Sequence, residues 1–104
     1  LLAFRLVHLL VLSRSFFQKS NRIAISGEDV TKNKPAPDIY LAAAKILQVK
    51  EFECVAIEDS PAGICAAKSA GIFCIGFKNP LYNLDLRAAN LITNDLTRID
   101  FTNI

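Results

Sequence analysis

Glu58 and Asp59 stand side by side at the end of the apolar run CVAIE, residues 54–58, and within eight residues of them the one basic side chain is Lys50. Two carboxylates this close repel each other, and a folded chain tolerates them where something positive offsets the charge. One or two carboxylates, with waters and a substrate phosphate completing the shell, are how proteins commonly hold Mg2+. The plain alternative is an exposed acidic turn whose Asp59 helps to cap the next helix. Lys34 is the second candidate. It precedes Pro35, which pushes its backbone to an extended conformation, and Pro37 stiffens the same loop. A lysine so held sets a compact point charge against a phosphate or carboxylate, although a solvated loop cation, as Lys32 beside it would be, is the ordinary reading.

The elements that must position these groups alternate. IAIS, residues 23–26, is a short β-branched run closed by Gly27 and predicts a strand. PDIYLAAAKILQV predicts a helix, with Pro37 suited to its first position and Asp38 to its first turn; Ile39, Ala43, Ile46 and Leu47 recur at helical spacing and would form its buried face. CVAIE predicts a second strand. Ser60 then serves as N-cap, Pro61 as first helical residue and Gly71 as the stop, while Gly63, Ala66, Ala67 and Ala70 make a stripe of small residues that lets the helix approach a sheet closely. IFCIGF, residues 72–77, predicts a third strand. A weak helix over 84–89, a short strand over 91–93 and a turn near 95–99 complete the chain. This order implies right-handed βαβ crossovers and a parallel sheet, with ligands at the carboxyl ends of the strands. Glu58, Asp59 and Ser60 occupy one such end, and the loop GEDVTKNKPAP follows another.

Taken together, KPAPDIY, then a strand, then IEDSPAGICAAKSAG resembles the third and fourth motifs of the haloacid dehalogenase-like hydrolases, in the branch of β-phosphoglucomutase and related sugar-phosphate phosphatases. The tail segments GFKNP and LDLRAANLITNDL resemble that branch too. The resemblance implies an α/β fold, a Rossmann-like parallel sheet with flanking helices, and a Mg2+-dependent phosphoryl-transfer site. By that resemblance Lys34 would be the catalytic lysine that stabilises the transferring phosphoryl group, Glu58 and Asp59 would hold the metal, and Ser60 would bind phosphate at a helix N-terminus. Ser13, in LVHLLVLSRS, is the candidate for the family's phosphate-binding Ser or Thr at a strand end. The substrate class implied is a small phosphorylated metabolite of the sugar-phosphate kind.

The departures are as informative. The D-x-D-G-T segment that carries the family's nucleophile is not in this sequence, nor is a cap domain, so the chain reads as residues 1–22, a divergent apolar segment with a remnant core strand, followed by residues 23–104, the C-terminal part of the core. It starts at Leu1 and has no methionine, which reads as a cut end. Without a nucleophile the chain alone is expected to be inactive. A non-catalytic remnant that binds phosphate or a protein partner stays open as the alternative, with an uncovered sheet edge available for self-association. A phospho-acceptor receiver domain is excluded by element order, because its acidic pair precedes its Lys-Pro.

Composition narrows the classes further. At 52% hydrophobic and 21% charged the chain is too apolar for disorder and suits a sheet buried on both faces. A net charge of +2 with no basic stripe gives no footprint for nucleic acid. The run LLAFRLVHLLVL is 12 residues long and broken by Arg5 and His8, short of the ~20 that span a bilayer. Cys54, Cys65 and Cys74 lack metal-ligand spacing and read as buried free thiols of a reducing, cytoplasmic compartment.

Overall fold

Hydrophobic strands without polar alternation need cover on both faces, and this chain supplies it with two helices on one side and its C-terminal turn on the other. A computed structural model describes residues 10–13 and 30–100. Strand β1 is Leu10–Ser13, helix α1 Asp38–Leu47, strand β2 Cys54–Glu58, helix α2 Pro61–Ser69, strand β3 Phe73–Phe77 and strand β4 Leu91–Thr93. Single 3-10 turns lie at Glu51–Glu53 and Leu96–Arg98. The strands neighbour one another in the order β1-β2-β3-β4. The predicted strand at 23–26 lies outside the described residues.

β2, β3 and β4 are parallel, with Glu58 opposite Gly76 and Phe77 opposite Thr93. The α/β class and the parallel core are therefore as expected. β1 differs: it pairs antiparallel with β2, Leu10 opposite Ile57 and Ser13 opposite Cys54.

Alternation along β2 decides what each residue meets. Cys54 and Ala56 join Ile39, Tyr40, Ala43, Ile64, Ala67 and Cys74 in the core beneath the helices. Val55 and Ile57 face the other way with Ile75, against Phe73, Phe77, Leu96 and Ile99. Glu58 falls in phase with Cys54 and Ala56, so its carboxylate enters the helix side of the sheet.

The second helix follows its local signals. Ser60 Oγ accepts from Gly63 N at 3.1 Å, Pro61 is the first helical residue, and Gly71 takes φ +79° just past the end, where a side chain would be strained. Gly63, Ala66 and Ala67 are buried against the sheet, as the small-residue stripe requires. The first helix departs in two details. Pro37 is its N-cap rather than its first residue, and Ile46 is 56% exposed while Tyr40 and Ala44 are buried in its place. The buried face is therefore Ile39, Tyr40, Ala43 and Ala44, still at helical spacing but shifted from the expected one.

The predicted helix over 84–89 does not form. Asp85 Oδ1 instead accepts the backbone N–H of Arg87, and Ala89 N bonds to Leu86 O, which closes turns. An aspartate that bonds locally to the backbone competes with helix in this way. The loop packs tightly on β3, since a Cβ on Gly76 would lie 3.2 Å from Ala89 Cβ and 3.3 Å from Leu86 Cβ.

Candidate active site

Glu58 is the buried charged residue of this core, 1% exposed. Its Oε2 receives Lys34 Nζ at 2.7 Å and the hydroxyl of Tyr40. Oε1 is buried without a hydrogen-bond partner among the described residues. Burial pushes the carboxyl above its usual range and the Asp59 charge adds to this, while Lys34 and Tyr40 pull it back. Burial and the neighbouring Glu58 charge likewise push the Tyr40 hydroxyl far up, so it stays a phenol and can donate.

Each of these groups comes from a different element. Lys34 sits in a turn closed by Ala36 N to Asn33 O at 3.0 Å, with a cis Lys34–Pro35 peptide, and its side chain is 20% exposed. Tyr40 comes from the first turn of α1, and its ring lies 5.8 Å from Lys34 Nζ. Gly63, in the first turn of α2, lies directly on the carboxylate, since a Cβ there would be 1.9 Å from Oε1. Asp59 and Ser60, both half-buried, complete the carboxyl end of β2.

Residues 24 positions apart in sequence, Lys34 and Glu58, thus meet at one strand end. The sequence model of the haloacid dehalogenase-like hydrolases matches residues 11–77, more than half of the chain. The chain belongs to the haloacid dehalogenase-like hydrolase family. It is 38% identical to validoxylamine A 7'-phosphate phosphatase of Streptomyces hygroscopicus subsp. limoneus over 79% of this chain and 38% of that protein. It is 47% identical to β-phosphoglucomutase of Bacillus subtilis (strain 168) over 65% of this chain and 30% of that one. Among solved structures, β-phosphoglucomutase from Clostridium difficile aligns with a TM-score of 0.63 and 36% identity, over 75% of this chain and 34% of that chain. The chain thus spans about a third of the length of these relatives, and it falls in the β-phosphoglucomutase-like branch.

Against this family frame the sequence candidates divide. Lys34, Glu58, Asp59 and Ser60 come together at one edge. Ser13 does not: because β1 runs antiparallel, Ser13 pairs with Cys54 at the opposite end of β2, about 13 Å along the strand from Glu58. The acidic pair is also split in environment, for Glu58 turns inward under the helices while Asp59 lies beyond the strand end. Cys54 and Cys74 are buried as expected, whereas Cys65 is exposed; all three are free thiols. Among the described residues no helix is long and apolar enough to cross a membrane.

The residues suit Mg2+ in kind and number of donors. Among the described residues no group of three or more His, Cys, Asp and Glu gathers, so a soft or all-protein metal cage is not built here. Two adjacent carboxylates at a strand end, the half-buried Asp59 beside the buried Glu58, fit in kind a hard cation that keeps most of its shell as water and phosphate. Sequence reasoning missed Tyr40 and Gly63 as parts of this site. Tyr40 carried a readable signal, since a phenol on the buried face of an otherwise apolar helix needs a partner for its hydroxyl.

Proposed function

We propose that this chain is the lysine- and acid-bearing part of a Mg2+-dependent phosphoryl-transfer hydrolase, a phosphatase or phosphomutase acting on a small phosphorylated metabolite of the sugar-phosphate kind. The observation that carries the reading is the Lys34–Glu58 ion pair at a strand's carboxyl end, beside the half-buried Asp59. The names of the relatives, a sugar-like phosphate phosphatase and β-phosphoglucomutase, support the substrate class.

In this reading Glu58 and Asp59 hold the cation, which when bound would draw charge from the phosphoryl oxygens. Lys34 does two things. Its ammonium balances Glu58, and its positive charge, on a side chain that still reaches solvent, offsets the charge of a transferring phosphoryl group. Ser60 Oγ uses a lone pair on Gly63 N, which leaves its O–H free to donate to a phosphate oxygen at the start of α2, where the helix dipole also favours anions. The free thiols fit a reducing, cytoplasmic setting.

No D-x-D-G-T carboxylate is present in the 104 residues, so the chain by itself should not form a phosphoryl-enzyme intermediate. The expected result is no Mg2+-dependent hydrolysis of p-nitrophenyl phosphate by the purified chain, with Mn2+ uptake that broadens the amide signals of residues 58–60 and is weakened by Asp59→Asn. Robust turnover would overturn the inactivity, and absence of Mn2+ uptake would overturn the metal site. A second reading is a phosphate- or partner-binding remnant, for which the exposed Leu91 and Ile92 of β4, the outer strand of the sheet among the described residues, offer a surface.

A further inference from the structure

The amino ends of β2, β3 and β4 frame a groove of about 330 Å3, lined by Phe52, Lys68, Gly71, Ile72, Phe73 and Asn90. It lies at the far end of the sheet from Glu58, because Phe73 opens β3 whereas Gly76, the partner of Glu58, stands near its close. A space of this size is within the range of small-molecule sites. Ile72 is buried, Phe52 is 70% exposed, and a Cβ on Gly71 would meet no atom within 4 Å, so the groove is open above an apolar base. A phenyl ring left in water is unfavourable relative to one that is covered, and two such rings, Phe52 and Phe73, line the same open space.

The polar side of the groove offers donors and a positive charge. Asn90 Oδ1 accepts from Cys74 N at 2.9 Å and from Lys68 Nζ at 2.9 Å. With Oδ1 so occupied, the amide is oriented with Nδ2 as a further donor next to the ammonium. The bond to Asn90 uses one of the three ammonium protons, and no carboxylate among the described residues pairs with Lys68. Glu53, beside Phe52 in sequence, accepts from Lys50 N instead.

We propose that this groove is a binding site for a small aromatic carboxylate, its ring laid on Phe52 and Phe73 and its carboxylate meeting Lys68 Nζ and Asn90 Nδ2. An anion neutralises a lysine that no described carboxylate balances, and a flat ring covers apolar surface that is otherwise wet. Asn90 holds the ammonium in place beforehand, which lowers the cost of ordering it on binding. A dianionic phosphate is worse matched, since its second charge would have no cation to meet. The site is separate from the phosphoryl-transfer reading and stands or falls without it.

The test is titration of the full chain with β-naphthoate, followed by amide NMR and calorimetry. A ligand of this size should bind with a Kd of about 1 mM or tighter, moving the amides of residues 52, 68, 71–73 and 90 and leaving those of 58–60 in place. Lys68→Gln should weaken binding about tenfold by removing the charged donor, and Phe52→Ala about fivefold by removing one ring. Both side chains are exposed, so both variants should keep the folded amide spectrum. Two further ligands separate the contributions without any variant. β-Naphthylmethanol keeps the ring and loses the charge, acetate keeps the charge and loses the ring, and each should bind about tenfold more weakly or worse. No amide movement, movement centred on 58–60, or an affinity that survives either substitution would overturn the site. Equal binding of the alcohol or of acetate would overturn the chemistry assigned to it.

Discussion

Gly63 should be the least replaceable small residue of α2, and Gly63→Ala is the most direct test of the buried carboxylate. In an open helix the change would be favourable by about 1 kcal/mol, because alanine is the better helix former. Here the added Cβ would lie 1.9 Å from Glu58 Oε1, 2.2 Å from Cδ and 2.7 Å from Oε2. The carboxylate would have to retreat by more than an ångström to reach an ordinary contact. Its other side is fixed by Lys34 at 2.7 Å and by Tyr40, so retreat means losing those bonds. Overpacking a core costs about 1–3 kcal/mol, and a buried charge that loses its partner about 3–5 kcal/mol. Even with partial relaxation the net should be a destabilisation of about 2–4 kcal/mol, read as a lower urea midpoint with unchanged slope. The sign should reverse in a Glu58→Ala background, where nothing occupies the space and Gly63→Ala should stabilise by about 0.5–1 kcal/mol. A double-mutant cycle isolates this coupling. A neutral or stabilising Gly63→Ala with Glu58 intact would refute the account of a pinned carboxylate.

Lys34→Ala should destabilise the chain by about 3–5 kcal/mol, since Glu58 is left buried without its ion-pair partner; a loss under ~1 kcal/mol in urea unfolding would mean the pair does not hold the site. Ser60→Ala should lose about 1 kcal/mol through the N-cap to Gly63 N, and Ser60→Asp should recover most of it, both read from thermal unfolding. Iodoacetamide should label the exposed Cys65 in the native protein and spare Cys54 and Cys74, whose thiols burial raises from 9.0 to about 11 and about 12. Those same thiols set a pH trend. Above pH 9 they ionise in the unfolded chain while staying protonated in the folded one, so the unfolded state binds fewer protons and stability falls as pH rises toward 11–12. Cys74→Ala should flatten the decline of urea midpoint between pH 9 and 11, and an unaltered slope would contradict it.

Much of this protein was legible because its signals are local. Ser60, Pro61 and Gly71 mark both ends of α2 by cap chemistry that acts within a few residues, and the same stretch carries the family motif. The edge on which Lys34, Glu58 and Asp59 gather followed from the βαβ rule. What stayed out of reach depends on contacts made across the chain. The direction of β1 is set by pairing with β2, and that pairing moved Ser13 to the far end of the sheet. The stretch 84–89 has helix-forming residues, yet Leu86 is drawn down onto Gly76 and Asp85 bonds to Arg87, so turns win.

Glu58 shows the division most clearly. A strand buried on both faces reads as an unbroken apolar run, and CVAIE contains no alternation to say which face its last residue shares. The sequence by itself determined that two carboxylates close that strand, and that a lysine on a proline-stiffened loop precedes them. Only the packing of α1 and α2 on one face decided that Glu58 turns inward, meets Tyr40, and needs a glycine above it. Charge and spacing are written along the chain, but the side of a sheet is decided by what covers it.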